Sequence, residues 1–122
     1  MAGLTQARQQ AVLDTEFPTT GGTDHIAYSA NGTSESGALA RTPIGATGWA
    51  AATAATPSVK ANANALTSAA ASSGATITHF AIYSALTAGT QKTDWQTLTA
   101  SKTVTTGDQL TWAVGACQVT LD

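Results

Sequence analysis

Ala75-Thr76-Ile77-Thr78-His79-Phe80-Ala81-Ile82-Tyr83-Ser84-Ala85 reads as a central β-strand. With a period of two, Phe80 and Ile82 share one face, while Ile77, Ala81 and Tyr83 share the other. Both faces are largely apolar, which suits a strand covered on two sides rather than one half open to water. His79 falls on the Ile77 face, so it is expected to be a hydrogen-bonded core or interface histidine.

Downstream, Ala88-Gly89-Thr90 marks a turn, and Trp95 to Val104 holds one or two further strands. Lys102 to Leu121 reads as a hairpin, turning at Thr106-Gly107-Asp108 and closing on a long terminal strand. Leu110, Trp112 and Val114 share one parity and Cys117, Val119 and Leu121 the other. A β-bulge at Gly115-Ala116 would turn both sets towards the core.

Upstream, Thr5 to Glu16 carries good helix formers and is ended by Phe17-Pro18-Thr19-Thr20-Gly21-Gly22. Leu4, Ala7, Ala11 and Phe17 make too narrow an apolar stripe for a core helix, so this helix is expected at the periphery. His25-Ile26-Ala27-Tyr28-Ser29 is a short strand ending at the Asn31-Gly32 turn. Ala38 to Ile44 is a second strand, pushed to an edge by Pro43. Trp49 to Ala55 is expected to be extended, because Gly45, Gly48 and Pro57 bracket its alanines. In Val59 to Ala65, Lys60, Asn62 and Asn64 alternate with small residues, which predicts polar side chains outward and small ones inward. Ser68 to Gly74 is a small-residue loop. The expected architecture is all-β: residues 23–122 form a β-sandwich of seven or eight short strands, with a jelly roll as one form of it, after an N-terminal helix and linker over residues 1–22.

Only 10% of the 122 residues are charged, against about 25% in ordinary soluble domains. Arg8, Arg41, Lys60, Lys92 and Lys102 are scattered and the net charge is -2, which argues against a nucleic-acid partner. A neutral Thr, Ser, Asn and Gln surface can be covered without desolvating many ions, which favours an assembled subunit. Met1 to Arg8 lacks the basic-then-apolar layout of a signal peptide, and no apolar run reaches the ~18 residues of a membrane span. The expectation is a protein made in the cytoplasm, with no membrane partner. Asn31-Gly32-Thr33 fits a glycosylation sequon, as a chance match in a Thr-rich chain.

Chemistry is sparse. His25 and His79 are the two histidines, and with Asp24 they offer no third ligand at a metal-binding spacing. Cys117, the lone cysteine, forms no intrachain disulfide and is expected to be a small buried hydrophobe. Asp94 and Asp108 sit where Asp caps turns. Asp14, Glu16, Asp24 and Glu35 have no spacing that argues for paired-carboxylate hydrolysis. The expectation is a non-enzyme without metal or cofactor. Trp112 alternates with Leu110 and Val114 as a core residue. Trp49 and Trp95 flank Gly and Asp and are expected at the surface, as protein-interface anchors or sugar-stacking rings.

The order of these elements resembles a family of small tailed-bacteriophage structural proteins, labelled tail fibre, minor tail, or minor capsid and decoration proteins. Val12-Leu13-Asp14 with Phe17, then His25 to Ser29 and Gly37-Ala38-Leu39-Ala40-Arg41 follow the family layout. The closest agreement lies in Thr76 to Tyr83 and in Lys102-Thr103-Val104 through Gly107-Asp108-Gln109-Leu110 to Thr120-Leu121, whereas Trp49 to Ser73 departs most. The resemblance implies a non-enzymatic component of the virion exterior, forming a homo-oligomer and binding the major capsid protein or tail proteins of the same particle. Low charge and the lack of a fibrous repeat favour a capsid decoration or cement subunit. The alternative is a tail or tail-fibre module that contacts host surface glycans. The candidate partner-binding residues are Leu4, Arg8, Val12, Arg41, Trp49 and Trp95.

Overall fold

The computed structural model describes residues 4–54 and 57–121. Helix α1 (Gln6–Glu16) is followed by β1 (His25–Ser29), β2 (Thr42–Pro43), β3 (Ser58–Ala61), β4 (Leu66–Thr67), β5 (Ala75–Tyr83), β6 (Gln96–Val104), β7 (Thr111–Trp112) and β8 (Gln118–Leu121). The fold is all-β and antiparallel with one short N-terminal helix, as the strand pattern implies. No helix among the described residues is long and apolar enough to cross a membrane. Two compact units divide the chain. One gathers the described residues of Met1–Gly22, Ile44–Ala65 and Trp112–Asp122, the other Thr23–Pro43 and Leu66–Thr111.

The second unit is built on a sheet of order β2-β1-β5-β6. β1 lies against β5 with Ile26 opposite Ile82, Ala27 opposite Ala81 and Tyr28 opposite Phe80. Ile26, Ala27, Tyr28, Ile77, Ala81 and Ile82 are completely buried, so β5 is the covered central strand that its two apolar faces require. The expected strand from Ala38 to Ile44 shrinks to Thr42–Pro43. Pro43 ends at the sheet edge, where its missing N–H costs no ladder bond. β6 is interrupted: between the pairs Ile77–Lys102 and His79–Thr97, two steps along β5 match five along β6. The extra residues bulge from the free edge, which spoils it as a template for further pairing.

The turn expected at Thr106-Gly107-Asp108 is present, with Gly107 at a φ of 93° and the Asp108 carboxylate accepting from Thr105 N at 2.8 Å. It does not close a hairpin. β6 pairs with β5, and β7 takes a different partner, β4. The loop is instead held by Ala71, whose carbonyl accepts from Gly107 N and whose N–H donates to Asp108 O.

In the first unit β3 and β8 form a ladder with Lys60 opposite Val119, and α1 packs on both strands. Thr5 caps the helix, accepting from Arg8 N, and Phe17 N closes its end on Leu13 O at 2.9 Å. Gln9 and Leu13 are its buried residues. Phe17 meets Trp49 edge-on, with ring centroids 5.4 Å apart. Trp49 and Thr53 bridge to Asn62 and Val59, so residues 49–54 are extended as expected, while Ala55 lies outside the described residues.

From Val59 to Ala63 the alternation is real but its sign is reversed, whereas Asn64 is exposed as expected. Ser58, Lys60 and Asn62 face inward and are essentially inaccessible, whereas Val59, Ala61 and Ala63 are half-buried. Each inward polar group has a specific partner: Ser58 Oγ donates to Gln9 Oε1 at 2.7 Å, and Lys60 Nζ meets Asp14 Oδ1 at 2.7 Å. Asn62 Nδ2 donates to the Asn64 and Ala113 carbonyls, and Asn62 Oδ1 accepts from Cys117 N. Satisfied polar groups can be buried at little net cost. The predicted bulge at Gly115-Ala116 is a turn instead. Ala116 N donates to Ala113 O, Gly115 N to Asn62 O, and Val114 is pushed out to 65% exposure, out of the expected core triplet.

Candidate functional site

The six residues singled out for partner binding have three different fates. Arg41 is buried and fully engaged: its guanidinium forks onto Glu35 with two contacts of 2.9 Å. The same group donates to the carbonyls of Ala85 and Ala88 and lies 3.9 Å over the Tyr83 ring. The hydrogen bond to Glu35 raises its already high pKa, against the lowering effect of burial. Arg41 is therefore a strut under the 85–88 turn, not a surface contact; the planar fork explains why Arg stands there. Trp49, expected at the surface, is 2% exposed and belongs to the core with Phe17. Its flanking Gly48 allows close backbone approach rather than exposure.

Trp95 is half-buried and tilted against Tyr83 at a centroid distance of 6.1 Å. The Tyr83 hydroxyl donates to Gln91 Oε1 at 3.1 Å, and Gln91 Nε2 reaches the Thr93 carbonyl. The result is a small aromatic platform with a neutral hydrogen-bonding rim.

Leu4, Arg8 and Val12 are all exposed and lie together along α1. With Ala11, Thr15 and Glu16 they line an open groove of about 460 Å³ on the outward side of the helix. The helix buries Gln9 and Leu13 inward while Leu4 and Val12 remain 50% and 42% exposed. A second open groove, of about 580 Å³, runs between Leu39–Arg41 and the Leu86–Ala88 turn. Its rim carries Leu86, 52% exposed, beside Ala88 at a φ of 53°.

The buried ionisable groups serve the fold. Among the described residues the buried charged side chains are Asp24, Arg41 and Lys60, and each stands in an ion pair, with Lys92, Glu35 and Asp14 respectively. Burial is the largest single influence on Asp14 and would raise its pKa. The Lys60 hydrogen bond, the Ala52 N–H and the Lys60 charge together outweigh it and hold the carboxyl below its ordinary value. Burial alone pushes the Cys117 thiol up to about 12, so it is a packed hydrophobe rather than a nucleophile at neutral pH. His79 Nδ1 shares a hydrogen bond with Thr78 Oγ1 at 2.7 Å, and its ring closes on Gly32, where an added Cβ would stand 2.9 Å from Nε2. His25 Nδ1 bonds the Thr23 carbonyl. Among the described residues no three His, Cys, Asp or Glu side chains gather as a cation site.

Sequence reasoning brought Leu4, Arg8 and Val12 to one surface and misplaced Arg41 and Trp49. It missed Glu35, Gln9 and Asn62, whose roles depend on partners remote in the chain. Only the six-residue spacing of Glu35 and Arg41 across a Gly-rich turn could have hinted at that pair.

No curated protein matches the chain. The family model described as podophage GP4 fiber I protein gp80 matches residues 7–120, from α1 through the terminal ladder. This chain belongs to that family of podophage fiber proteins.

Proposed function

We propose that this protein is a non-enzymatic structural subunit of a podophage fibre, carried on the outside of the virion. The family match over residues 7–120 carries the reading, and it favours the fibre over the capsid-shell location that low charge alone suggested. The chemistry supports it: the buried charges are consumed in internal ion pairs, the thiol is buried, and the surface is neutral and polar. Such a surface is suited to extensive protein contact. The test is a comparison of particle density maps for virions with and without the gene. Loss of density in the tail fibres is expected. Loss from the shell with an unchanged tail would overturn the fibre reading in favour of decoration.

A finer role, contact with host surface glycans, draws support from the Trp95–Tyr83 platform and its Gln91 rim. Aromatic faces stack on the apolar faces of sugar rings while amides bind hydroxyls. Binding of the purified protein to host cell-wall polysaccharide should be lost on Trp95→Ala and kept on Leu86→Ala. Wild-type levels of binding by Trp95→Ala would remove this platform from consideration.

A further inference from the structure

Asn31-Gly32 is a dipeptide that readily loses ammonia in water, because glycine has no Cβ to shield its amide nitrogen. In that reaction the Gly32 nitrogen gives up its proton and attacks Asn31 Cγ. The new N–C bond closes a succinimide, the Cγ–Nδ2 bond breaks, and Nδ2 departs with a proton as ammonia. Water then opens the ring at either carbonyl. The position is left as aspartate or, with a methylene added to the main chain, as isoaspartate.

Water has access to this turn, since Asn31, Thr33 and Ser34 are all exposed. The groups that must move are nevertheless held. Gly32 N donates to Ser29 Oγ at 2.9 Å, and that hydroxyl donates its own proton to the Ser34 carbonyl at 2.6 Å. A neutral hydroxyl is too weak a base to take the amide proton. Ser29 is completely buried, so hydroxide does not reach the proton from that side. The carboxamide is fixed as well. Asn31 Oδ1 accepts from Thr33 N at 2.9 Å, Ser34 N at 3.0 Å and Thr33 Oγ1 at 3.0 Å, while Nδ2 donates to Ser34 Oγ. It faces the residues ahead, and ring closure requires it to turn back onto Gly32 N.

The His79 ring presses on Gly32, which has a φ of 75°. An added Cβ would stand 2.9 Å from Nε2 and 3.0 Å from Cε1, so the Gly32 peptide has little room to rotate. The ring is itself anchored by the bond between Nδ1 and Thr78 Oγ1.

We infer that Asn31 is a latent deamidation site, which the Ser29 hydroxyl and the His79 ring hold closed in the folded protein. The inference is independent of the fibre assignment. It gives His79 a positioning role that neither a metal site nor catalysis supplies. The protected loop leads from β1 to Glu35, the carboxylate that forks with Arg41. A methylene added at Asn31 would fall between that strand and that pair.

The test is peptide mapping by mass spectrometry of the full chain aged in mildly alkaline buffer, folded and in guanidinium. Conversion of amide to acid is read at Asn31, Asn62 and Asn64. In guanidinium Asn31 should be the fastest of the three, because alanine follows the other two. Folding should slow it about a hundredfold, since two or three hydrogen bonds must open before the ring can close. Ser29→Ala should restore about tenfold of that rate in the folded protein, and His79→Ala should act in the same direction. Amide exchange at Ala27 and Ile82, both completely buried in the sheet, separates local release from opening of the whole sheet. Faster deamidation with unchanged exchange there is expected. A folded wild type that deamidates Asn31 at the guanidinium rate overturns the inference. So does either variant ageing at the wild-type rate. Deamidation and exchange that accelerate equally would assign the protection to the sheet and overturn the role of these two side chains. Virion localisation is a separate readout, so failure here leaves the fibre assignment standing.

Discussion

Lys60 Nζ lies 2.7 Å from Asp14 Oδ1, with the lysine side chain wholly withdrawn from solvent and the aspartate 43% exposed. The strand thus delivers an ammonium from inside to a carboxylate at the rim, fixing α1 onto β3. Asp14 also accepts from Ala52 N at 2.9 Å, so one carboxylate ties the helix to two further segments.

Removing the carboxylate strands a buried cation. Asp14→Ala should cost about 2 kcal/mol, a buried-pair penalty reduced by the solvent on the aspartate side. Lys60→Met removes the charge while keeping the volume, and should cost under about 1 kcal/mol. Urea unfolding of the two variants checks the order. A costlier Lys60→Met would mean that the ammonium itself holds the unit together.

Acid should reveal the same pair. The Asp14 carboxyl is held below its ordinary value of 3.8 in the folded protein, so its contribution is complete above that value and disappears as pH falls through the depressed folded one. Unfolding midpoints should fall between pH 4 and pH 2 more steeply for the wild type than for Asp14→Asn. Parallel curves would show that the pair adds nothing to acid stability.

Arg41→Lys keeps the charge but loses the fork onto Glu35 and the simultaneous bonds to Ala85 and Ala88. A loss of about 2 kcal/mol is expected, with faster amide exchange confined to the 85–90 turn. Wild-type exchange in that turn would show that the strut is dispensable.

Gly48 and Gly37 make a matched pair of glycines. A Cβ on Gly48 would stand 1.8 Å from the Ile44 carbonyl oxygen, whereas one on Gly37 meets nothing within 4 Å. Gly48→Ala should cost about 3 kcal/mol or abolish folding, and Gly37→Ala should be neutral within about 0.5 kcal/mol. Thermal unfolding of both decides it, and equal melting temperatures would contradict the close approach.

Cys117 is completely buried, with its thiol pushed up to about 12. It should resist a thiol reagent at pH 8 in the folded protein and react at once in guanidinium. Its labelling rate should follow global unfolding across denaturant concentrations. Rapid labelling of the native protein would place the thiol in a segment that opens locally.

By itself the sequence determined the local elements that have a signature within a few residues. The helix stop at Phe17-Pro18, the covered strand around Phe80, the edge proline and the Gly107-Asp108 turn are of this kind, because sterics and short-range periodicity specify them. It also determined that the chain carries few charges, and that α1 cannot bury a full apolar stripe. What it left open were relations of sign and pairing. The alternation from Val59 to Ala63 was legible, but which parity faced inward depended on Asp14, Gln9 and Cys117, distant residues that satisfy Lys60, Ser58 and Asn62. The Gly107 turn was legible, but Ala71, not the next strand, took its hydrogen bonds. Arg41 and Trp49 looked like surface residues until Glu35, Tyr83 and Phe17 arrived from elsewhere in the chain. Backbone preference is local and can be read in sequence order. A buried polar group is stable only if a partner meets it, and that meeting exists only in the tertiary structure.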